Sequence, residues 1–285
     1  MKRVRLMLQN AARYPGSFLV RLLCGAAALI VAGALALIIG YILITGIPNL
    51  KPSLFALEYN SENVSLLPAL FNTVIMTLLS LLLAVPLGVG GAIYLAEYAN
   101  RSSKIVKAVR LTAETLAGIP SILYGLFGMM FFVTSLRSSY SLLAGGMTLA
   151  VMILPLILRT TEEALLSIPD SYREGSFGLG AGRLRTVTHI VLPPAMSGIL
   201  AGVILAIGRV VGETAALIYT AGTYAQTADS LFSPVRTLSV HMYVLSSEGL
   251  HIDQAYATAA VLLIVVVGIN ALSAAVAKSI VKRRG

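Results

Sequence analysis

The chain has 285 residues, 57% of them hydrophobic and only 12% charged, with a mean hydropathy of +0.87 and a formal net charge of +9. Soluble domains carry about a quarter charged residues, so a water-exposed globule is excluded, and the apolar content excludes disorder. One cysteine, Cys24, excludes a disulfide scaffold, and long apolar blocks without alternation argue against a water-filled β-barrel. What remains is an all-α integral membrane protein, whose positive charge needs a topological explanation before a nucleic-acid one.

A spanning helix needs about 20 mostly apolar residues. Six such blocks occur, at about 22–47, 67–98, 118–136, 140–158, 190–221 and 256–277. The first is too long for a signal-peptide core and reads as a retained anchor. The 20 residues before it predict a short interfacial helix. Pro86 and Gly88 predict an interruption in the second block, and Pro120 and Pro155 mark kinks or span starts.

Charge placement orients the chain. Seventeen of the 21 basic residues fall on one side: Lys2, Arg3, Arg5, Arg13, Arg21, Arg101, Lys104, Lys107, Arg110, Arg159, Arg173, Arg183, Arg185, Lys278, Lys282, Arg283 and Arg284. Lys51, Arg137 and Arg236 fall on the other, and Arg209 lies inside a span. Both termini are therefore expected in the cytoplasm. The outer connection at about 48–65 is polar and acidic. The one at about 222–254 carries Asp229, Arg236, His241, Glu248, His251 and Asp253, and its length predicts local structure of its own.

The fourth-to-fifth connection, at about 159–193, has the sharpest pattern. Pro169 stops one helix, and Asp170 or Ser171 is a candidate cap for the next. Glu174 falls where the helix dipole favours an acid. Gly178, Gly180 and Gly182 then turn the chain back toward Ile190-Val-Leu-Pro193. A helix–turn–helix between two spans is predicted. Glu174-Gly175-Ser176, three residues, Gly180, nine residues, Ile190, one residue, Leu192-Pro193 resembles the EAA loop of ABC-importer permeases. The departure is Gly175-Ser176 in place of two alanines, and both residues are small.

That resemblance covers about residues 68–280 and implies a type I ABC-importer permease fold with six transmembrane helices. It divides the chain into 1–66, holding the N-terminus, first span and outer loop, and 67–281, the permease domain. It also implies that the loop docks on a separate ATPase. The sequence holds no Gly-x-x-x-x-Gly-Lys-Ser/Thr loop, so no cofactor is expected on this chain, with ATP and Mg placed on the partner.

In the fifth span, Arg209 and Glu213 are four residues apart, on one face of an uninterrupted helix. Arg209 lies 15 residues beyond Pro194, about 22 Å along a helix and well inside the hydrocarbon. Such a charge costs at least about 2.5–3.5 kcal/mol at the bilayer centre. One interpretation is a structural ion pair. The other is an anion-transit site, where the guanidinium fork meets oxyanion oxygens and Glu213 holds it when substrate is absent. Gly198, Gly202, Gly208 and Gly212 place this span at a helix–helix interface.

The run from Gly202 to Ala216 resembles the fifth-span signature of the phosphate-specific permeases, the PstA and PstC proteins. The stretches 161–169, 240–246 and 253–259 favour the PstA branch. The resemblance implies an inner-membrane phosphate importer with a PstC-like permease partner, two PstB-like ATPases and a PstS-like binding protein. A molybdate or sulfate permease, or the PstC-like subunit itself, are the alternatives. An intramembrane enzyme using Glu213 lacks a second catalytic carboxylate, and an ion-coupled carrier gives no reason for the loop.

Other polar residues have plainer expectations. Cys24 reads as a buried small hydrophobe. His189, His241 and His251 lack metal-ligand spacing, and no nucleic-acid face is visible. Asn72 and Thr73 line a pathway or pack between helices. Glu97 and Glu114 read as solvated partners of Arg101, Lys104 and Arg110.

Overall fold

The computed structural model describes the backbone of residues 15–100 and 102–284, with side chains at 16–100 and 102–275. Residues 1–14 of the predicted interfacial helix, and Lys2, Arg3, Arg5, Arg13 and Arg101, lie outside the described residues, whereas 15–21 continue directly into the first long helix. Every regular element described is helical. Five helices are long and apolar enough to cross a membrane: Gly16–Asn49, Leu67–Tyr98, Leu142–Leu166, Arg183–Val211 and Ile252–Ala275. A sixth is counted if two helices bent by 103°, Lys104–Ala117 and Ser121–Ser135, form one span.

In chain order, α1 is Pro15–Gly46, α2 Leu67–Ile93, α3 Lys104–Ala117 and α4 Ser121–Gly128. Next come α5 (Leu142–Leu166), α6 (Asp170–Gly178), α7 (Arg183–Thr186) and α8 (Leu192–Val211). The short α9 is Ala215–Ile218, followed by α10 (Leu238–Glu248) and α11 (Ile252–Arg284). Wide π-helical turns extend α2 to Tyr98 and α4 to Ser135, and join α7 to α8. The loop at 222–254 does carry its own helix, α10.

At the centre is α5, whose sequence is apolar nearly all round and is therefore buried by neighbours rather than by lipid. Ser141 caps its start, accepting the Ala144 N–H at 3.1 Å. Leu149, Met152, Ile153 and Ile157 pack with Met76 and Ala84 of α2, Tyr124 of α4 and Ala206 and Val210 of α8. By contrast α1 packs mainly on α11, where Tyr41 meets Tyr256 edge-on with centroids 5.8 Å apart. Cys24 is exposed on α1, not buried as expected, because no helix covers that part of the anchor.

Two span expectations need correction. The second block is not interrupted: α2 runs through Pro86. A Cβ on Gly88 would lie 2.8 Å from Ile157 Cγ2, so this glycine serves close packing on α5 and not a bend. The third block is shorter than predicted, because Pro120 is extended and starts a new helix only at Ser121.

The fifth span packs by small residues, as its glycines predict. A Cβ on Gly198 would lie 2.6 Å from Ala164 Cβ, and one on Gly202 would lie 2.7 Å from Thr160 Cβ. Gly202→Val should therefore force α8 from α5 and destabilise the protein by about 1–3 kcal/mol. Gly33→Ala, with open space around it on α1, should not. Thermal unfolding of the detergent-solubilised variants checks the difference.

Candidate functional site

At one end of the bundle, α6 and α7 form the predicted helix–turn–helix. Pro169 precedes α6 and no side chain caps it, which corrects the capping role given to Asp170 or Ser171. Asp170 Oδ1 instead accepts from Arg173 Nη1 at 3.1 Å. Gly180 has φ +82°, a left-handed turn that a residue with a Cβ adopts at a cost. Gly182 then leads into α7.

Arg173 anchors this module. Its side chain is buried, and its fork meets Glu97 at the end of the second span, with Nη2–Oε1 at 2.6 Å and Nε–Oε2 at 3.1 Å. Nη2 also donates to Leu165 O and Nη1 to Ile168 O, so the α5–α6 turn is clamped as well. The hydrogen bond to Glu97, opposed by desolvation, raises the Arg173 pKa. Glu97 is thus not solvated and does not pair with Lys104 or Arg110, because burial beside Arg173 claims it; Arg101 lies outside the described residues. Arg110 pairs with Glu162 at 2.7 Å, and Arg159 with Glu163 at 2.9 Å and Glu114 at 3.3 Å. Sequence reasoning missed the Arg173–Glu97 pair, and the only local signal was Asp170 three residues before Arg173.

The family-pattern residues separate into two faces. Ser176 is buried, its hydroxyl 2.8 Å from that of Thr186, which ties α6 to α7. This polar contact occupies the place where the pattern has an alanine. Ile190, Leu192 and Pro193 are partly buried at the start of the fifth span, and Leu192 packs beside Val191 and Ala195. Glu174, Gly175 and Gly180 are exposed, and a Cβ on Gly175 would meet nothing within 4 Å. Tyr172, Phe177, Leu179 and Leu184 are exposed beside them, Leu179 at 91%. A cleft of about 580 Å³ opens between α6 and the return segment, lined by Tyr172, Gly175, Leu179, Arg185 and His189 among others.

The other candidate pair lies at the far end of the fifth span. Here the structure departs from the expected continuous helix: α8 stops at Val211, and Gly212–Thr214 form a break before α9. Glu213 is therefore off the helix. It is 8% exposed, and its Oε1 accepts the Ala216 N–H at 3.1 Å, satisfying a free donor at the start of α9. Ser239 Oγ donates to Glu213 O at 2.5 Å and holds the break from α10.

Arg209 stays in the last turn of α8, half-buried, with Tyr124 in its electrostatic neighbourhood. Among the described residues it forms no ion pair or hydrogen bond, and the predicted Arg209–Glu213 pair is absent. Pro194, Ser197, Ala201, Leu205 and Gly212 are exposed along α8 at steps of three, four and seven residues, so an uncovered stripe runs up to Arg209.

Asn72 and Thr73 prove to be packing residues. Asn72 Nδ2 donates to Gln226 O at 2.9 Å and Arg236 O at 3.3 Å, while its Oδ1 accepts from Ala228 N. Thr73 Oγ1 accepts from Leu238 N at 2.8 Å. They pin the long loop onto α2. Within that loop His241 is wholly buried, and burial plus the nearby Arg236 push its pKa down to about 3.

Apolar spans with one compact polar helix–turn–helix clamped at their end form the fold of type I ABC-importer permeases. The chain belongs to the family described as binding-protein-dependent transport system inner membrane component, which matches residues 88–285. It is a multi-pass membrane protein of that permease family.

A probable ABC transporter permease protein of Bacillus subtilis strain 168, YqgI, is 34% identical over 241 residues, covering 79% of this chain and 82% of that one. The phosphate transport system permease protein PstA 1 of Mycobacterium tuberculosis is 34% identical over 219 residues, covering 76% and 71%. PstA of Pasteurella multocida is 36% identical over 201 residues, covering 70% and 71%. A bacterial ABC transporter that imports the acidic polysaccharide alginate matches the fold with TM-score 0.68 and 18% identity, over 96% of this chain and 99% of that one. The MetNI methionine ABC transporter matches with TM-score 0.59 and 19% identity, over 84% and 96%.

Two outcomes follow from the clamped module. Arg173→Ala leaves Glu97 buried without its partner and should cost about 3–5 kcal/mol, much of it recovered in the Arg173→Ala, Glu97→Ala double variant. Thermal unfolding of these two variants and of Glu97→Ala measures that coupling. Gly175→Ala should leave amide exchange over 171–186 unchanged or slower, because alanine favours a helix by about 1 kcal/mol over glycine. Gly180→Ala should speed that exchange about fivefold, as strain at positive φ opens the turn.

Proposed function

We propose that this chain is one of two permease subunits of an ATP-driven, binding-protein-dependent importer of inorganic phosphate. The observation that carries the reading is Arg209. It is a cation in an apolar span, without an anionic partner among the described residues, beside a helix break and on an uncovered helix face. Intramembrane charges of this kind mark substrate pathways, and broken helices occur where transporters bind their ligands. The PstA relatives support phosphate as the anion. A guanidinium edge suits two phosphate oxygens at once.

The charge distribution supports an orientation with both termini and the α6–α7 module in the cytoplasm. The exposed Glu174, Gly175, Gly180, Tyr172 and Leu179 then face a PstB-like ATPase, with ATP and Mg bound there. The uncovered stripe on α8 faces a PstC-like permease, and the 222–254 loop faces a PstS-like binding protein. Closure of the ATPase pair would push α6, and the Arg173–Glu97 clamp would carry that push into α2 and α5. Glu213 serves this pathway by capping α9 and keeping the break open, so that Arg209 remains free for the anion.

The test is Arg209→Gln in the assembled importer. Phosphate uptake into proteoliposomes should be lost while the complex still assembles. Uptake at the wild-type rate would remove Arg209 from the pathway.

A further inference from the structure

Arg236 is a second cation without a counter-ion. The residue is 4% exposed, and its Nε and Nη2 are buried without a hydrogen-bond partner. Its close contact is aromatic: the guanidinium carbon lies 4.6 Å from the centre of the Tyr59 ring. His241 meets the same ring edge-on with centroids 6.1 Å apart. An imidazole is neutral or cationic and never an anion, so it supplies no compensating charge. A buried charge left unpaired is costly, and a stacking ring offsets only part of that cost.

The surroundings are built to receive a ligand. Tyr59, the ring under Arg236, also lines an open cleft of about 690 Å³ with Tyr140, Gly222, Gln226 and Pro234, so the buried guanidinium lies behind one wall of that cleft. Nε and Nη2 share one edge of the guanidinium, the edge that takes two oxygens of an oxyanion side by side. The Arg236 segment is also tied to the broken span. Val235 N donates to Ala221 O at 3.0 Å, and Ser239 Oγ holds Glu213 O. The segment that carries Arg236 is therefore bonded both to the break itself, at Glu213, and to the chain just after α9, at Ala221.

We propose that Arg236, parked on Tyr59 when empty, forms an anion-receiving site that takes phosphate from this cleft and hands it toward Arg209. The proposal rests on the phosphate reading above. Stacking holds the cation in place without neutralising it, so an arriving phosphate meets a fork whose donors have no competing partner. Moving from Arg236 to Arg209 would let the anion exchange one guanidinium for another instead of crossing the apolar core unpaired.

The test uses the assembled importer in proteoliposomes, with its binding protein and radiolabelled inorganic phosphate. Arg236→Met keeps an apolar stem of similar length and removes the fork. The expected result is a melting temperature equal to or above that of wild type, with phosphate uptake at least tenfold lower. The affinity of the phosphate-free binding protein for the complex should stay within twofold. Uptake within twofold of wild type overturns the site. Loss of binding-protein affinity together with uptake also overturns it, because Arg236 would then pair with a carboxylate of the docked protein. If Arg236→Met does not assemble, Arg236→Lys decides: the charge without the fork should give three- to tenfold lower uptake, and a wild-type rate overturns the proposal. A wild-type importer that moves no phosphate defeats the phosphate reading itself, whereas normal wild-type uptake with an unaffected Arg236→Met defeats only this site.

Discussion

A guanidinium held among apolar helices must meet an anion, another polar partner or a π-face, because the hydrocarbon supplies none of these. Three arginines of this chain meet that constraint in three ways. Arg173 is paired, with Glu97 filling its fork and two carbonyls and the Asp170 carboxylate taking the remaining donors. Arg236 is stacked on Tyr59 with two nitrogens unsatisfied. Arg209 stands half-buried at a helix end with no ionic partner among the described residues. The paired arginine makes a joint, and the two unpaired ones leave positive charge where an anion could pass.

The joint explains how a small polar module can move large apolar helices. α6 has nine residues and little apolar surface of its own, so burial alone would hold it weakly. The clamp adds charge-assisted hydrogen bonds to α2 and to the end of α5, and Ser176–Thr186 locks α6 to α7. On the proposed function, force on the exposed face of α6 would therefore reach α5, the helix at the centre of the main buried cluster. Small residues complete the linkage, since Gly198 and Gly202 let α8 lie against α5 closely enough to move with it.

Periodic and punctuated features were legible from the residues alone. The spans follow from apolar block length. The helix–turn–helix follows from Pro169 and the three glycines, and the glycine-packed face of α8 from its small residues. Features set by distant partners were not legible. Arg209 and Glu213 sit at an ideal helical spacing, yet the helix ends between them, because Ser239 and the Ala216 N–H draw Glu213 into a separate role. Glu97 and Arg173 are 76 residues apart, and nothing local marks them as a pair. Pro86 reads as a break, but it is an exposed residue within a continuous α2, whose contact with α5 is made by neighbours such as Gly88. Arg236 looked like an ordinary loop cation, and only the fold shows that Asn72 and Tyr59 draw its segment inside.

The central claim is that Arg209 is left unpaired in its own chain so that it can meet the transported anion. The most direct measurement is a structure of the complete importer trapped with phosphate during transport. The account predicts phosphate oxygens within about 3 Å of the Arg209 guanidinium, with Glu213 still capping α9. A phosphate path that bypasses Arg209, or an Arg209 neutralised by a carboxylate of the second permease throughout the cycle, would contradict it.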